Sequence, residues 1–323
     1  VAGNNLSELN VSNNTALIDL LCHENNLSEL DVSNNTLLDR LHCGYNNLSE
    51  LDVSNNDQLV DLRLEVNNIS GLDVSSNSVL ENLICHENNL SELDVSNNSL
   101  LNLLYCGENN LFELNVDNNP LIYDLRLNNM DISTLNLTNN SLLVQLESQF
   151  NSLSSLDLSN NPELMYLNCS YNNLTELNTS NNLALIDLKC NNNWILSEID
   201  ITNNVQLNSL TCQANDISEL NTSNNLVLSI LDCNTNSLSE LNLANNLELT
   251  TLRLYENNFT ELNISNNTLL TALQCQSNAL LSCIQVWDVE YAETSSSFFK
   301  DDGAIWSLNC EYNSTINCDT VFI

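Results

Sequence analysis

Apolar residues recur along the chain at a fixed step. Leu17, Leu38, Leu59, Leu80, Leu101, Ile122, Leu143, Leu164, Leu185, Leu207, Leu228, Leu249 and Leu270 open successive stretches of 21 residues, with one 22-residue step from Leu185 to Leu207. The extra residue falls in "NWILSEI", near Trp194. Each stretch reads L-x-x-L-x-(C/L)-x-x-N, then x-L-x-x-L-(D/N)-(V/L/I)-(S/T)-x-N-x-x. The two halves match each other: Leu38, Leu41, Cys43 and Asn46 correspond to Leu48, Leu51, Val53 and Asn56. In each half the fourth and sixth positions are apolar between polar neighbours, which is the period of a strand with one buried face. The pattern therefore predicts two short extended segments per repeat, joined by bends.

No single repeat can bury its own Leu, Val and Cys positions, so stability must come from stacking neighbours. A 20–29-residue period with this leucine spacing is the leucine-rich-repeat signature. The expected fold is a β-rich, flattened right-handed leucine-rich-repeat solenoid. Its 21-residue units carry short parallel strands stacked ~4.8 Å apart, with little α-helix and a C-terminal cap. Residues 1–278 form the solenoid, beginning with a partial first unit, and 279–323 the capping region. The ninth-position Asn side chains are expected to form inward ladders that bond backbone groups at the bends. The second-half ladder is unbroken, and the first-half ladder departs only at Met130.

The 323 residues include 12 cysteines, a number that suggests a disulfide scaffold until their register is considered. Nine share one core slot: Cys22, Cys43, Cys85, Cys106, Cys169, Cys190, Cys212, Cys233 and Cys275. Leu64, Leu127, Leu254 and Ser148 take the same slot elsewhere. Exchange with leucine marks these thiols as small buried hydrophobes. Cys283, Cys310 and Cys318 fall outside the period, in a tail whose Trp287, Phe298, Phe299 and Trp306 are suited to covering the last core layer. A Cys283–Cys310 disulfide is expected, with Cys318 spare or an alternative partner; a structural disulfide implies an oxidising compartment. Val1 falls in a core slot with no polar cap before it, so upstream sequence is expected.

The net charge is −36, from 42 acids against 6 Lys and Arg. That surface excludes nucleic acid and anionic membranes as partners. No apolar run approaches the length of a membrane span.

The nested 21-residue unit and the tail "CIQV…D…KD…C" resemble the leucine-rich-repeat proteins exported by Bacteroidetes, notably marine flavobacteria. The resemblance runs over essentially the whole chain. It implies a secreted or surface-attached protein, often held by a type IX sorting domain after the repeats. It implies no fixed catalytic residues, so no site carries over from the group.

The two halves differ in how much they vary. In the second half the third slot is Glu in ten of thirteen copies and the fifth is Asp or Asn in all thirteen. The fifth slot of the first half runs Leu21, His42, Arg63, Ile84, Tyr105, Arg126, Glu147 and onward without a rule. If both faces carry the same folding burden, folding does not explain the contrast, and the variable strip is where recognition belongs. Exposed Arg and aromatic side chains on a sheet favour binding. The candidates are Arg40, Tyr45, Arg63, Tyr105, Arg126, Phe150, Tyr166, Tyr171, Lys189, Arg253 and Tyr255. The ligand is a protein or a glycan on an extracellular or outer cell-surface module. The competing accounts are drift with cross-strand ion pairing, and a stiff structural spacer in a larger surface filament with no ligand of its own.

Other chemistry is thin. "CHEN" at Cys22–Asn25 and Cys85–Asn88 places neighbours on opposite faces, so Cys22 and His23 cannot share zinc. Open carboxylate rows isolate no acid for hydrolysis, and no serine has a nucleophile turn with a histidine partner; an enzyme is not expected. No cofactor is expected beyond weak Ca²⁺ decoration, for which Glu29, Asp31, Glu50 and Asp52 are the candidates. The constant face could also match a lattice such as ice or crystalline polysaccharide, although dense charge counts against ice.

Overall fold

The structure is a computed structural model that describes residues 1–310. The chain forms two bodies, Val1–Leu174 and the remainder from Thr175 onward.

In the first body, three-residue strands fall once per repeat, at the third to fifth slots. They are Asp19–Leu21, Arg40–His42, Asp61–Arg63, Asn82–Ile84, Leu103–Tyr105, Asp124–Arg126, Gln145–Glu147 and Tyr166–Asn168. Each pairs in parallel with its neighbours in strict register, so Leu20 lies beside Leu41 and Leu41 beside Leu62. The central leucines and the sixth-slot Cys are buried, as are the first-slot residues from Leu38 onward. The second halves have no strands in this body. They run extended and then close through two turns, as where Asn56 N donates to Val53 O and Leu59 N to Asn56 O.

In the second body, Asp187–Lys189, Ser209–Thr211, Ile230–Asp232, Thr251–Arg253, Ala272–Gln274 and Phe298–Phe299 continue the same kind of parallel stack. Here some second halves also pair: Glu176–Asn178 with Glu198–Asp200, and Glu261–Asn263 with Cys283–Gln285 and then Ile305–Ser307. The second-half stack thus runs past Asn278, with one inserted residue. The insertion near Trp194 leaves Trp194 and Ile195 as an exposed bulge at a bend.

Both asparagine ladders form, by different means. Asn46 Nδ2 donates to the carbonyls of Cys22, Cys43 and Gly44, and its Oδ1 accepts from Leu48's counterpart one repeat earlier, Leu27 N. The side chain therefore pins a bend and ties it to its neighbour. To reach that geometry the preceding residue turns left-handed. Thirteen residues, none of them glycine, have φ of 52° to 58° in this one corner, among them Glu24, Tyr45, Val66, Phe150 and Tyr171. Each costs roughly 1–2 kcal/mol, offset by hydrogen bonds to the next repeat such as Tyr45 N to Glu65 O. In the second-half ladder Asn56 Nδ2 donates to Val32 O and Asn35 O. The Oδ1 atoms of Asn35, Asn56, Asn77, Asn98, Asn119, Asn140, Asn225 and Asn267 are buried without a hydrogen-bond partner among the described residues. Asn204 and Asn246 differ, because Thr179 and Thr222 replace the usual sixth-slot Val, Leu or Ile and donate their hydroxyls to those oxygens.

The C-terminal cap holds the helix Val289–Thr294, with Asp288 at its N-cap accepting from Tyr291 N. Trp287, Tyr291, Phe298 and Trp306 pack their rings together. Phe299 departs from the expected cover: strand alternation turns it outward, and it is exposed. Asp301 finishes the backbone ladder. Its two carboxylate oxygens accept from Ser277 N and Asn278 N, both at 2.9 Å, where the equivalent Tyr45 N and Asn46 N meet the carbonyls of Glu65 and Val66. Cys283 and Cys310 are joined as expected, with Cα atoms 5.8 Å apart. Cys318 lies outside the described residues.

Candidate binding surfaces

The first-half strand face carries its cations in pairs with acids. Arg40 Nε meets Asp19 at 2.6 Å. Arg63 forks onto Asp61 through Nε and Nη2, both at 3.0 Å, while His42 Nε2 meets the same carboxylate at 2.9 Å. Arg126 forks onto Asp124 at 3.1 Å and reaches Glu147 at 3.5 Å. The Tyr105 hydroxyl donates to Asp124 at 2.5 Å, and the Arg126 guanidinium lies 4.2 Å from the Tyr105 ring centre. Burial first, and then that carboxylate, raise the Tyr105 pKa. In the second body Lys189 meets Asp187 at 3.4 Å, and Arg253 meets Asp232 at 3.3 Å beside half-buried Tyr255. Each of these cations thus faces at least one carboxylate. The cross-strand pairing that the sequence offered as an alternative to binding is present at Arg40, His42, Arg126 and Arg253, whereas the Arg63–Asp61 and Lys189–Asp187 pairs lie within single strands.

The aromatic candidates are placed differently. Tyr166 stands on a strand, but Tyr45, Phe150 and Tyr171 occupy the left-handed corner beyond it. Phe150 and Tyr171 stack, with ring centres 4.2 Å apart and planes 16° apart. They are 49% and 44% exposed, and Tyr166 is 43% exposed. Of the eleven residues put forward, Phe150 and Tyr171 form one contact group, Tyr105 and Arg126 another. Arg40 and Arg63 are drawn to separate carboxylates, and Tyr45 joins no aromatic pair among the described residues.

The second-half face reveals a structural reason for its constancy. The fifth-slot side chain accepts from the backbone N–H two residues on, as from Ser54 N to Asp52 Oδ1 at 2.9 Å. Asp31, Asp73, Asp94 and Asp157 do the same, and so do Asn10, Asn115, Asn136, Asn178, Asp200, Asn221, Asn242 and Asn263. Asp and Asn share the one oxygen this turn needs, and Ala or Glu do not supply it at that reach. The two faces therefore do not carry equal folding burdens. The strand face is held by its sheet, and its outward slots are released; the other face is held by its side chains.

The Glu row has no such duty. Glu29, Glu50, Glu92 and Glu113 form no ion pair among the described residues. With the neighbouring Asp residues they edge a trough of about 1960 Å³ in the first body, floored by Leu30, Leu51, Leu72, Leu93 and Leu114. Phe112 stands in this lining where other repeats have Ser or Thr, and it is 67% exposed. Sequence reasoning passed over Phe112, although its break in a near-invariant slot was the signal. No group of three or more His, Cys, Asp or Glu able to hold a metal occurs among the described residues. The ladder cysteines are unbridged and buried. Burial pushes the Cys22 thiol up to about 11 and those of Cys106, Cys169 and Cys275 up to about 12, so these thiols are protonated and poorly nucleophilic.

No family model matches the sequence, and no curated protein does. Solved structures do match, and they are leucine-rich-repeat proteins. The functional domain of InlJ from Listeria monocytogenes, described as including a cysteine ladder, is 32% identical with a TM-score of 0.74 over 83% of this chain. This chain spans 64% of that one. An internalin, InlF, of the same species matches at 21% identity and TM-score 0.73, covering 89% of this chain and 87% of its own. The Arabidopsis receptor kinase HAESA, solved with a peptide hormone and a co-receptor, matches at 23% identity and TM-score 0.69 over 83% of this chain and 49% of its own. The last two likenesses establish the fold alone. The chain is a leucine-rich-repeat solenoid, and no helix among its described residues is long and apolar enough to cross a membrane.

Proposed function

We propose that this leucine-rich-repeat solenoid is a non-catalytic binding or adhesion module of the cell exterior, recognising a protein or glycan through its first-half face. The observation that carries the reading is the Phe150–Tyr171 stack. Two rings stand half in solvent at corners where Glu, Ala, Asn or Ser serve the fold elsewhere. Large exposed rings cost solvation without helping this bend, and a ligand gives them a use. Likeness to an InlJ domain supports a surface module, and the Cys283–Cys310 bridge suits an oxidising compartment. Origin in an exported Bacteroidetes protein belongs to the same proposal and rests on the tail motif.

Pull-down and glycan-array binding should be lost or strongly weakened in an Arg63→Ala/Tyr105→Ala/Tyr171→Ala variant. Equal, negligible binding by both proteins favours the second reading, a stiff acidic spacer in a larger surface assembly. The specific support for that reading is the pairing of Arg40, Arg63, Arg126, Lys189 and Arg253 with carboxylates. Calcium decoration of Glu29, Asp31, Glu50 and Asp52 predicts a higher melting temperature in millimolar Ca²⁺ than in chelator; equal values reject it.

A further inference from the structure

The first-half face changes character over two repeats of the first body. Gln145 lies beside Tyr166 and Glu147 beside Asn168 in the sheet register. At the adjoining corner Phe150 N donates to Ser170 O at 3.1 Å, and the Phe150 and Tyr171 rings stack. The one acid in the first halves of these two repeats, Glu147, is already engaged by Gln145 Nε2 at 2.8 Å and Arg126 at 3.5 Å. Its nearest cation, Arg126, is committed to Asp124 as well. The result is three half-exposed rings set among amides, with no uncommitted charge.

We propose that this patch binds a neutral oligosaccharide, with Phe150, Tyr171 and Tyr166 stacking on sugar C–H faces and Gln145 and Asn168 meeting hydroxyls. The inference rests on the binding reading above and names the ligand class. Three properties select it. Aromatic faces give apolar contact area at little conformational cost, and amides both donate and accept, matching hydroxyls. Anionic glycans are disfavoured by the −36 net charge and by cations that already face carboxylates. A protein epitope needs roughly 800 Å² per partner around an apolar, water-excluding centre, whereas here Gln145, Glu147 and Asn168 stand beside the rings.

The test uses calorimetric titration of the full chain with cellohexaose, chitohexaose and mannohexaose, and with a sulfated oligosaccharide as the anionic control. At least one neutral probe should bind and the sulfated one should not. Phe150→Asn/Tyr171→Asn should weaken binding about tenfold or more. It should still fold, because Asn129 and Asn192 occupy the same left-handed corner natively. The ring-preserving Phe150→Tyr/Tyr171→Phe should keep the affinity, as should Trp194→Ala at the exposed bulge of the other body. No binding of any neutral probe overturns the glycan assignment, as does binding that survives ring removal. A protein captured by wild type and lost in the triple-alanine variant, without glycan binding, leaves the binding reading standing and removes only this inference.

Discussion

The two halves of each repeat share a pattern of inward residues and solve the backbone problem in opposite ways. In the first half a parallel sheet satisfies the peptide groups, so Leu21, His42, Arg63, Ile84 and Tyr105 can succeed one another in one slot without harm. In the second half of the first body there is no sheet, and Asp52 and its equivalents hold the chain by side-chain hydrogen bonds. Variability is thus what a sheet-held face permits, and constancy is what a side-chain-held face requires. The free slots, the exposed rings above all, are what the proposed recognition would use.

The largest effect should come from removing a fully used side chain. Asn88 Nδ2 donates to three carbonyls and its Oδ1 accepts from Ile69 N. Asn88→Ala should lower stability by about 3–4 kcal/mol, read from urea unfolding, since several buried groups lose partners together. Asn77 in the other ladder uses only its two donors. Asn77→Ala should cost about 2 kcal/mol, and the difference between the two variants measures how unequally the ladders are satisfied. Smaller again is Asp52→Ala, which removes one turn-closing bond and should cost about 1 kcal/mol; Asp52→Asn should be close to neutral.

Acid should reach the same turns. The serine two residues on, through its hydroxyl and then its N–H, holds the carboxyls of Asp31, Asp52, Asp73 and Asp94 below their ordinary 3.8. A folded-state pKa below the unfolded one gives stability that is present above 3.8 and lost as pH falls through the depressed value. An Asp52→Asn/Asp73→Asn variant should show a flatter loss below pH 3.8 in thermal melts. The smallest effect is a gain. Val53→Thr places a hydroxyl where Thr222 reaches the Oδ1 of Asn246, and Asn77 Oδ1 awaits such a donor. The substitution should be neutral or stabilising by up to about 1 kcal/mol, against the usual penalty for burying a hydroxyl.

Much of the fold was legible because each turn repeats the same inward side chains. Leu41, Cys43 and Asn46 show their roles by recurring at 21 residues, and Leu64 in the cysteine slot shows that the thiols are packing groups. The Cys283–Cys310 bridge was legible as cysteines off that period. The left-handed corner was not, since Glu24, Tyr45, Val66 and Phe150 share no residue preference. The fold imposes φ there through Asn46 and its equivalents, so local propensity is silent. Asp52 was read as facing solvent or ions because a turn-closing oxygen and a solvated one look alike in sequence. The trough is lined by residues of successive repeats brought together only in space, which no residue pattern states, although Phe112 marked it.

The most direct measurement compares one slot in both halves of one repeat. Ile84 and Asp94 are each the fifth residue of their half, one on the sheet and one in the side-chain-closed turn. All single substitutions at both positions would be read by urea midpoint. At position 84 most residues, charged ones included, should fold within about 0.5 kcal/mol of wild type. At position 94 only Asn should match Asp, with the remainder about 1 kcal/mol lower. Equal tolerance at the two positions would contradict the account that one face is held by its sheet and the other by its side chains.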